Sequence, residues 1–175
     1  MYNKLIILEK IKDLRKIITF YNISIFTLVF LIFLVDRLTK NKIIELQLKN
    51  TNNIFVNDYI NFDLTWNTGI GFGLFNLDAG IGYHSISFLI FSVIGIIMFF
   101  ITKTKNFEKI SYAIILGGAI GNFYDRIIYY AVPDFIDFHI NNYHWFTFNI
   151  ADIFVSLGII LLIFNELIYK KNETN

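Results

Sequence analysis

Aspartates stand at or near the ends of long apolar stretches, at Asp36, Asp125, Asp134, Asp137 and Asp152, accompanied by Asn122, Arg126 and Asn149. Asn122 lies three residues before Asp125 and four before Arg126, so on a helix the three share a face. Asn149 and Asp152 share a face for the same reason. Two carboxyls held a few ångströms apart cannot both ionise cheaply, so they share one proton across neutral pH. One can then act as base towards a water while the other, protonated, polarises a carbonyl. Peptide-bond hydrolysis needs that combination, and it needs neither a metal nor a covalent intermediate.

Other chemistries have fewer candidates. The chain has 0 Cys, which excludes disulfides, thiol nucleophiles, iron–sulfur clusters and thiolate zinc sites. Ser85, Ser87, Ser92 and Ser111 have no obvious His or Lys partner and read as ordinary polar residues of helices. His84, His139 and His144 do not make the HExxH helix of a zinc protease. His139 and His144 near Asp134 and Asp137 could bind a metal, but the spacing is unspecific. No metal and no cofactor is expected. With 15 Lys+Arg against 14 Asp+Glu, no polybasic surface points to nucleic acid.

The elements that must position these groups are spans of a bilayer. Of the 175 residues, 55% are hydrophobic and 17% charged, too apolar for an ordinary soluble domain. A spanning helix needs roughly 20 mostly apolar residues, at about 1.5 Å each across about 30 Å. The pattern predicts four such helices, over about 17–35, 83–102, 110–128 and 150–168. The first apolar stretch is too long for the h-region of a cleavable signal, and no small-residue cleavage site follows it. Lys4, Lys10, Lys12, Arg15 and Lys16, the link with Lys103, Lys105 and Lys109, and Lys170-Lys171 all fall on one side of a four-span topology. That side reads as cytoplasmic, with both termini inside. The segment 41–82 is too long and polar for a turn. Alternation of Ile54, Val56, Ile60, Phe62, Leu64 and Trp66 predicts short strands in a small outer subdomain. The expected fold is a membrane protein, mainly α, a single integral domain over 1–175 with a β-rich cradle outside.

This topology gathers Asp36, Asn122, Asp125, Arg126, Asp134, Asp137, Asn149 and Asp152 into one leaflet. Ionisable groups at membrane depth are costly, face the bundle interior and mark function. Asp152, just inside an apolar span, is the hardest of them to explain as mere solvation. Gly117 and Gly121 form a small-xxx-small pair that lets another helix approach closely. A rival reading is a small proton-coupled transporter or channel that relays through Asp125, Asp134 and Asp152. Such a relay requires ionisable residues through the bilayer depth, whereas here the inner half is nearly all apolar.

Taken together, the motifs resemble those of bacterial lipoprotein signal peptidase (signal peptidase II). Asp36-Arg37-Leu38-Thr39-Lys40 is similar to its Asp-x-x-Thr-Lys signature, and Asn67-Thr68-Gly69-Ile70-Gly71-Phe72 to its Asn-x-Gly-x-x-Phe. The run from Gly117 through Asn122 to Asp125-Arg126 resembles its Gly-Gly-x-x-Gly-Asn-x-x-Asp-Arg. Val132-Pro133-Asp134-Phe135 resembles Val-x-Asp-Phe, and Phe148-Asn149-Ile150-Ala151-Asp152 resembles Phe-Asn-x-Ala-Asp. The five occur in family order from Asp36 to Asp152. The resemblance implies an aspartyl endopeptidase of the bacterial cell membrane, active near the outer face. It cleaves diacylglyceryl-modified prolipoproteins before the lipidated cysteine. Its partners would be those precursors, membrane lipids and globomycin-like cyclic peptide inhibitors. By motif matching, Asp134 and Asp152 take the catalytic roles. Asn67, Gly69, Asn122, Arg126 and Asn149 would bind substrate or orient the dyad, and Asp36, Lys40 and Asp125 would brace the site.

Three positions depart from the family pattern. Tyr130 stands where Gly is frequent, Phe146 where Pro is frequent, and Ile153 where Ser usually follows the second aspartate. Blander readings accompany several residues. Asp36-Arg37 is also what a helix end at an interface looks like, and Asp125-Arg126 what a structural ion pair looks like. Asp137 reads as a solvated or capping residue.

Overall fold

A computed structural model describes residues 20–49, 54–69 and 81–173. Among these residues the fold consists of four long helices and a four-stranded antiparallel sheet. Helix α1 covers Phe20–Lys49, α2 Ile81–Lys103, α3 Asn106–Tyr129 and α4 Ile150–Glu173. Strands β1 (Ile54–Asn57) and β2 (Ile60–Asn67) form one hairpin, and β3 (Val132–Ile140) and β4 (Tyr143–Phe148) form another. The hairpins join edge to edge through β2 and β3, giving the order β1-β2-β3-β4. Stretches within α1, α2 and α4 are long and apolar enough to cross a membrane. Large apolar side chains stay exposed along them, among them Phe26, Phe30, Phe88, Phe99, Ile160 and Phe164. A surface this apolar suits hydrocarbon, where contact with lipid carries no hydration penalty.

Helix α3 is the central member and packs against each of the other three. It carries more charge, but Ser111, Asp125 and Arg126 turn inward and are buried. Glycines let its neighbours approach. A methyl at Gly117 would meet Ile32 of α1 at 2.8 Å, and one at Gly118 would meet the Ala151 carbonyl oxygen of α4 at 2.5 Å. Gly121 faces the Asp36 carboxylate, at 2.6 Å from the same ideal methyl position. The small-xxx-small pair of the sequence thus serves the contact with α1, and the intervening Gly118 serves α4.

Two boundaries differ from the sequence reading. The first helix does not end at Asp36 but runs to Lys49, because Asp36, Arg37 and Lys40 all find partners inside the bundle and none needs water. The segment 41–49 is therefore helix rather than cradle. The cradle instead gains 132–148, expected only as a connection, whose strand character comes from pairing with β2. The turn into β3 passes through Tyr130 at φ 56°, the left-handed region that glycine occupies without cost. That explains why a glycine is frequent at this position in the resembled family. Parts of the expected elements, including 17–19, 50–53 and Gly71 to Gly73, lie outside the described residues.

Replacing Gly118 by Ala is expected to lower stability by about 1–3 kcal/mol, since the clash is with backbone and cannot be relieved by a side-chain rotation. Thermal unfolding in detergent measures it; Gly95→Ala, where an added methyl meets nothing within 4 Å, is the matched control.

Candidate active site

The site is built on a buried charge cluster between α1 and α3. Lys40 and Asp36, one helical turn apart on α1, are both 0% exposed. The Lys40 ammonium donates to Asp36 Oδ2 at 2.9 Å, to Asp125 Oδ2 at 2.7 Å and to Asn122 Oδ1 at 2.8 Å. Its three N–H bonds are thereby all used. Arg37 donates to both oxygens of Asp125, with Nη2–Oδ2 at 2.6 Å, and to Asp36 Oδ2 at 3.0 Å. Two cations face two carboxylates, so the cluster is formally neutral, which is the condition for keeping charges in an apolar bundle. Asp125 therefore pairs with Arg37 and Lys40 of α1, not with its neighbour Arg126. Arg37 was missing from the expected support set. The signal that could have found it was its position beside Asp36, in a helix that had no reason to stop.

From Lys40 a chain of amides reaches two further carboxylates. Lys40 can only donate, so it fixes Asn122 with Oδ1 towards itself and Nδ2 towards Asp152 Oδ1, at 2.8 Å. Asn149 is the N-cap of α4. Its Oδ1 accepts from the Asp152 N–H at 3.1 Å, and its own N–H donates to Asp152 Oδ2 at 3.1 Å. This reciprocal arrangement is a capping box with Asp in the Glu position. It leaves the Asn149 Nδ2 to donate to Asp134 Oδ1 on β3, at 2.6 Å. On the far side, Asn67 Oδ1 accepts from the Gly69 N–H at 2.9 Å, so its Nδ2 must point at Asp134 Oδ2, also at 2.9 Å. Each of the four oxygens of Asp134 and Asp152 thus receives one N–H from an asparagine.

Asp134 and Asp152 wall the same cavity, of about 240 Å³, together with Asn67, Asn122, Arg126 and Val132 and with apolar groups of α2, α3 and α4. Arg126 donates through Nη2 to the Gly69 carbonyl, while its Nε and Nη1 are buried with no hydrogen-bond partner among the described residues. The Tyr83 ring lies 5.9 Å from its guanidinium, and the Tyr83 hydroxyl donates to the Arg126 carbonyl at 2.7 Å. Tyr83 was not singled out from sequence; nothing in an apolar run marks one aromatic from another. Two members of the expected set are engaged within the protein itself, Asn149 in the orienting role expected of it. Asn149 is 0% exposed and is engaged by the two aspartates, so it stands behind the site. Gly69 is held on both sides, its N–H by Asn67 and its carbonyl by Arg126. Of the departures, Ile153 lines a separate apolar groove of about 420 Å³ that also reaches Asp152, with Phe146, Phe148, Ser156, Leu157 and Ile160.

The Asp134 carboxyl is pushed up to about 7, first by burial and then by the charge of Asp152, against the lowering effect of Asn67, Asn149 and Lys40. It holds a proton near neutrality that an unfolded chain would release near the usual Asp value of about 4. The folded state binds more protons than the unfolded one in that window, so this group makes stability fall as pH rises from about 4 to about 7.

Comparison with known proteins follows the same line. The sequence profile described as Signal peptidase (SPase) II matches residues 28–168. A lipoprotein signal peptidase of Pelagibacter ubique (strain HTCC1062) is 44% identical over 149 residues, covering 85% of this chain and 90% of that protein. One from Francisella tularensis subsp. novicida (strain U112) is 39% identical over 153 residues, covering 85% and 94%. A bacterial membrane enzyme solved at 2.3 Å resolution superimposes with a TM-score of 0.67 at 24% identity, over 85% of this chain and 90% of that one. A second, solved at 1.9 Å, gives 0.65 at 26% identity, over 82% and 92%.

Two measurements test the site. Lys40→Met leaves Asp36 and Asp125 with Arg37 as their sole buried cation, and should cost about 3–5 kcal/mol of stability. Asp134→Asn removes the proton uptake, so its melting temperature relative to the unsubstituted protein should climb between pH 4 and 7 and level off above. A difference that is flat with pH would refute the assignment of that proton to Asp134.

Proposed function

The chain belongs to the signal peptidase (SPase) II family, and from that premise we infer how this bacterial membrane peptidase removes signal peptides from prolipoproteins. The proposal is aspartyl hydrolysis by Asp134 and Asp152, cutting before a diacylglyceryl-modified cysteine. The observation that carries it is the shared cavity wall of these two side chains, linked through Asn149.

The proton assignment follows from the surroundings. Asp134, with its carboxyl raised to about 7, is the acid. Asp152 sits in the first turn of α4, where the positive end of the helix dipole favours a carboxylate, and is the base. A water between them loses a proton to Asp152 as its oxygen attacks the scissile carbonyl carbon. Asp134 gives its proton to the carbonyl oxygen, forming a tetrahedral diol. On collapse, Asp152 passes its proton to the leaving nitrogen, the C–N bond breaks, and Asp134 takes back the hydroxyl proton. Neither a metal nor a covalent intermediate enters.

Substrate placement follows from what else is near. Arg126 lines the cavity and holds two nitrogens, Nε and Nη1, that are unpartnered among the described residues and can donate to the carbonyls of a peptide backbone. The apolar groove beside Asp152, with Ile153 and Phe148 in its wall, suits an acyl chain or the apolar part of the signal peptide. Ile153 in place of a serine does not disturb the dyad, whose hydrogen bonds come from asparagines. Both termini would be cytoplasmic and the cavity would open near the outer face, consistent with the Lys/Arg distribution of the sequence. Among the described residues no feature favours the transporter reading.

Asp134→Asn and Asp152→Asn are each expected to reduce cleavage of a diacylglyceryl-modified precursor by at least about a thousandfold while the protein still inserts and folds. Mass analysis of precursor and product measures this, with a globomycin-like peptide as inhibitor control. Full turnover by either variant would remove the dyad.

A further inference from the structure

Asp137, His139 and His144 form a cluster that the hydrolytic reading does not use. Asp137 and His139 alternate along β3, so they leave the same face of the sheet, and Asp134, three residues back, leaves the other. The third member comes from β4 by way of a bulge. Phe138 pairs with Phe146 but His139 pairs with His144, so Trp145 is the extra residue. Without it Trp145 would stand opposite His139; the bulge re-aims His144 into that place.

The result is a compact donor set. His144 Nδ1 lies 2.7 Å and His139 Nδ1 3.6 Å from the same Asp137 oxygen, and the two rings stack with centroids 5.3 Å apart. One donor atom from each residue falls within 4.8 Å of the others. Asp137 is only 4% exposed, which corrects the expectation of a solvated or capping residue. A second observation points to a ligand. His139 is 7% exposed, yet its Nδ1 is buried and has no hydrogen-bond partner among the described residues. Buried polar atoms are nearly always paired, so an unpaired ring nitrogen facing a carboxylate needs an explanation. Asn61 of β2, directly across from Asp137 in register, has a buried and unpartnered Oδ1 as well.

We propose that Asp137, His139 and His144 form a binding site for a divalent transition metal of the zinc class, tying β3 to β4. Two imidazoles and one carboxylate are a borderline donor set that suits zinc and its neighbours, whereas calcium and magnesium require oxygen ligands. Donor atoms around a tetrahedral zinc stand about 3.3 Å apart, a value between the two separations from the Asp137 oxygen. His144, whose side chain is 57% exposed, adjusts by rotation about its own side-chain bonds as the metal replaces its hydrogen bond to Asp137. The metal displaces the proton between His144 and Asp137, gives the orphan His139 nitrogen a partner and has the Asn61 oxygen one strand away. Its role is structural, on a hairpin whose β3 carries Asp134 and whose β4 leads into Asn149. The site stands whether or not the dyad assignment holds.

The test uses the full chain in detergent, freed of any purification tag, titrated with zinc chloride and followed by calorimetry and thermal unfolding. One equivalent is expected to bind saturably and to raise the melting temperature, with no such shift from magnesium at the same concentration. His144→Ala should weaken zinc binding at least about tenfold and abolish the shift, and Asp137→Asn should do the same. Absence of saturable binding, or undiminished affinity in His144→Ala, overturns the proposal.

Discussion

One ammonium group in an apolar bundle organises this protein. Lys40 is wholly buried between α1 and α3, and such a charge is tolerated only if each of its hydrogens has an acceptor and its charge is matched. Asp36 and Asp125 supply the matching charge, Arg37 balances the second carboxylate, and Asn122 takes the last hydrogen. Because a cation cannot accept, the orientation of the Asn122 amide is no longer free, and its nitrogen must face Asp152. A structural cluster and a candidate reactive carboxylate are thus joined by a single forced amide.

The same rule recurs twice. The N-terminus of α4 presents N–H groups that need acceptors, and Asn149 and Asp36 provide them, Asp36 through the Ala151 N–H at 3.1 Å. With its oxygen taken, Asn149 can offer only hydrogen to Asp134. The tight turn at Asn67–Gly69 takes the oxygen of Asn67 in the same manner. Three asparagines, each oriented by a donor, surround two aspartates with hydrogen, so rotation of either carboxyl breaks at least one bond. This preorganisation is what an electrostatic mechanism requires, since the dipoles need not reorganise as charge develops.

Close helix approach makes these short contacts attainable. Gly117, Gly118 and Gly121 remove the side chains that would hold α1 and α4 away from α3, which brings Asp36, Lys40, Asp125 and Asp152 within reach across three helices. The sheet completes the site from outside, since Asp134 reaches the cavity only because β3 is held between β2 and β4. Its own fold depends on that pairing, as each hairpin is too small to persist alone.

Much of this was legible in the residues themselves. Apolar run lengths specify spanning helices because the bilayer sets a fixed length, and the ordered motifs from Asp36 to Asp152 carry the family likeness. Period-three and period-four spacing correctly grouped Asn122 with Asp125, because helical geometry is local. The places where reading failed are non-local. That α1 continues past Asp36, that Asp125 turns to Arg37 rather than Arg126, and that 132–148 forms a hairpin all depend on partners distant along the chain. Asp137 looked like a surface acid, yet the bulge at Trp145 brings a histidine onto it. Spacing along a chain determines which groups share a face; only packing decides which of them lose water together, and that loss is what turns a carboxylate into an acid near neutrality.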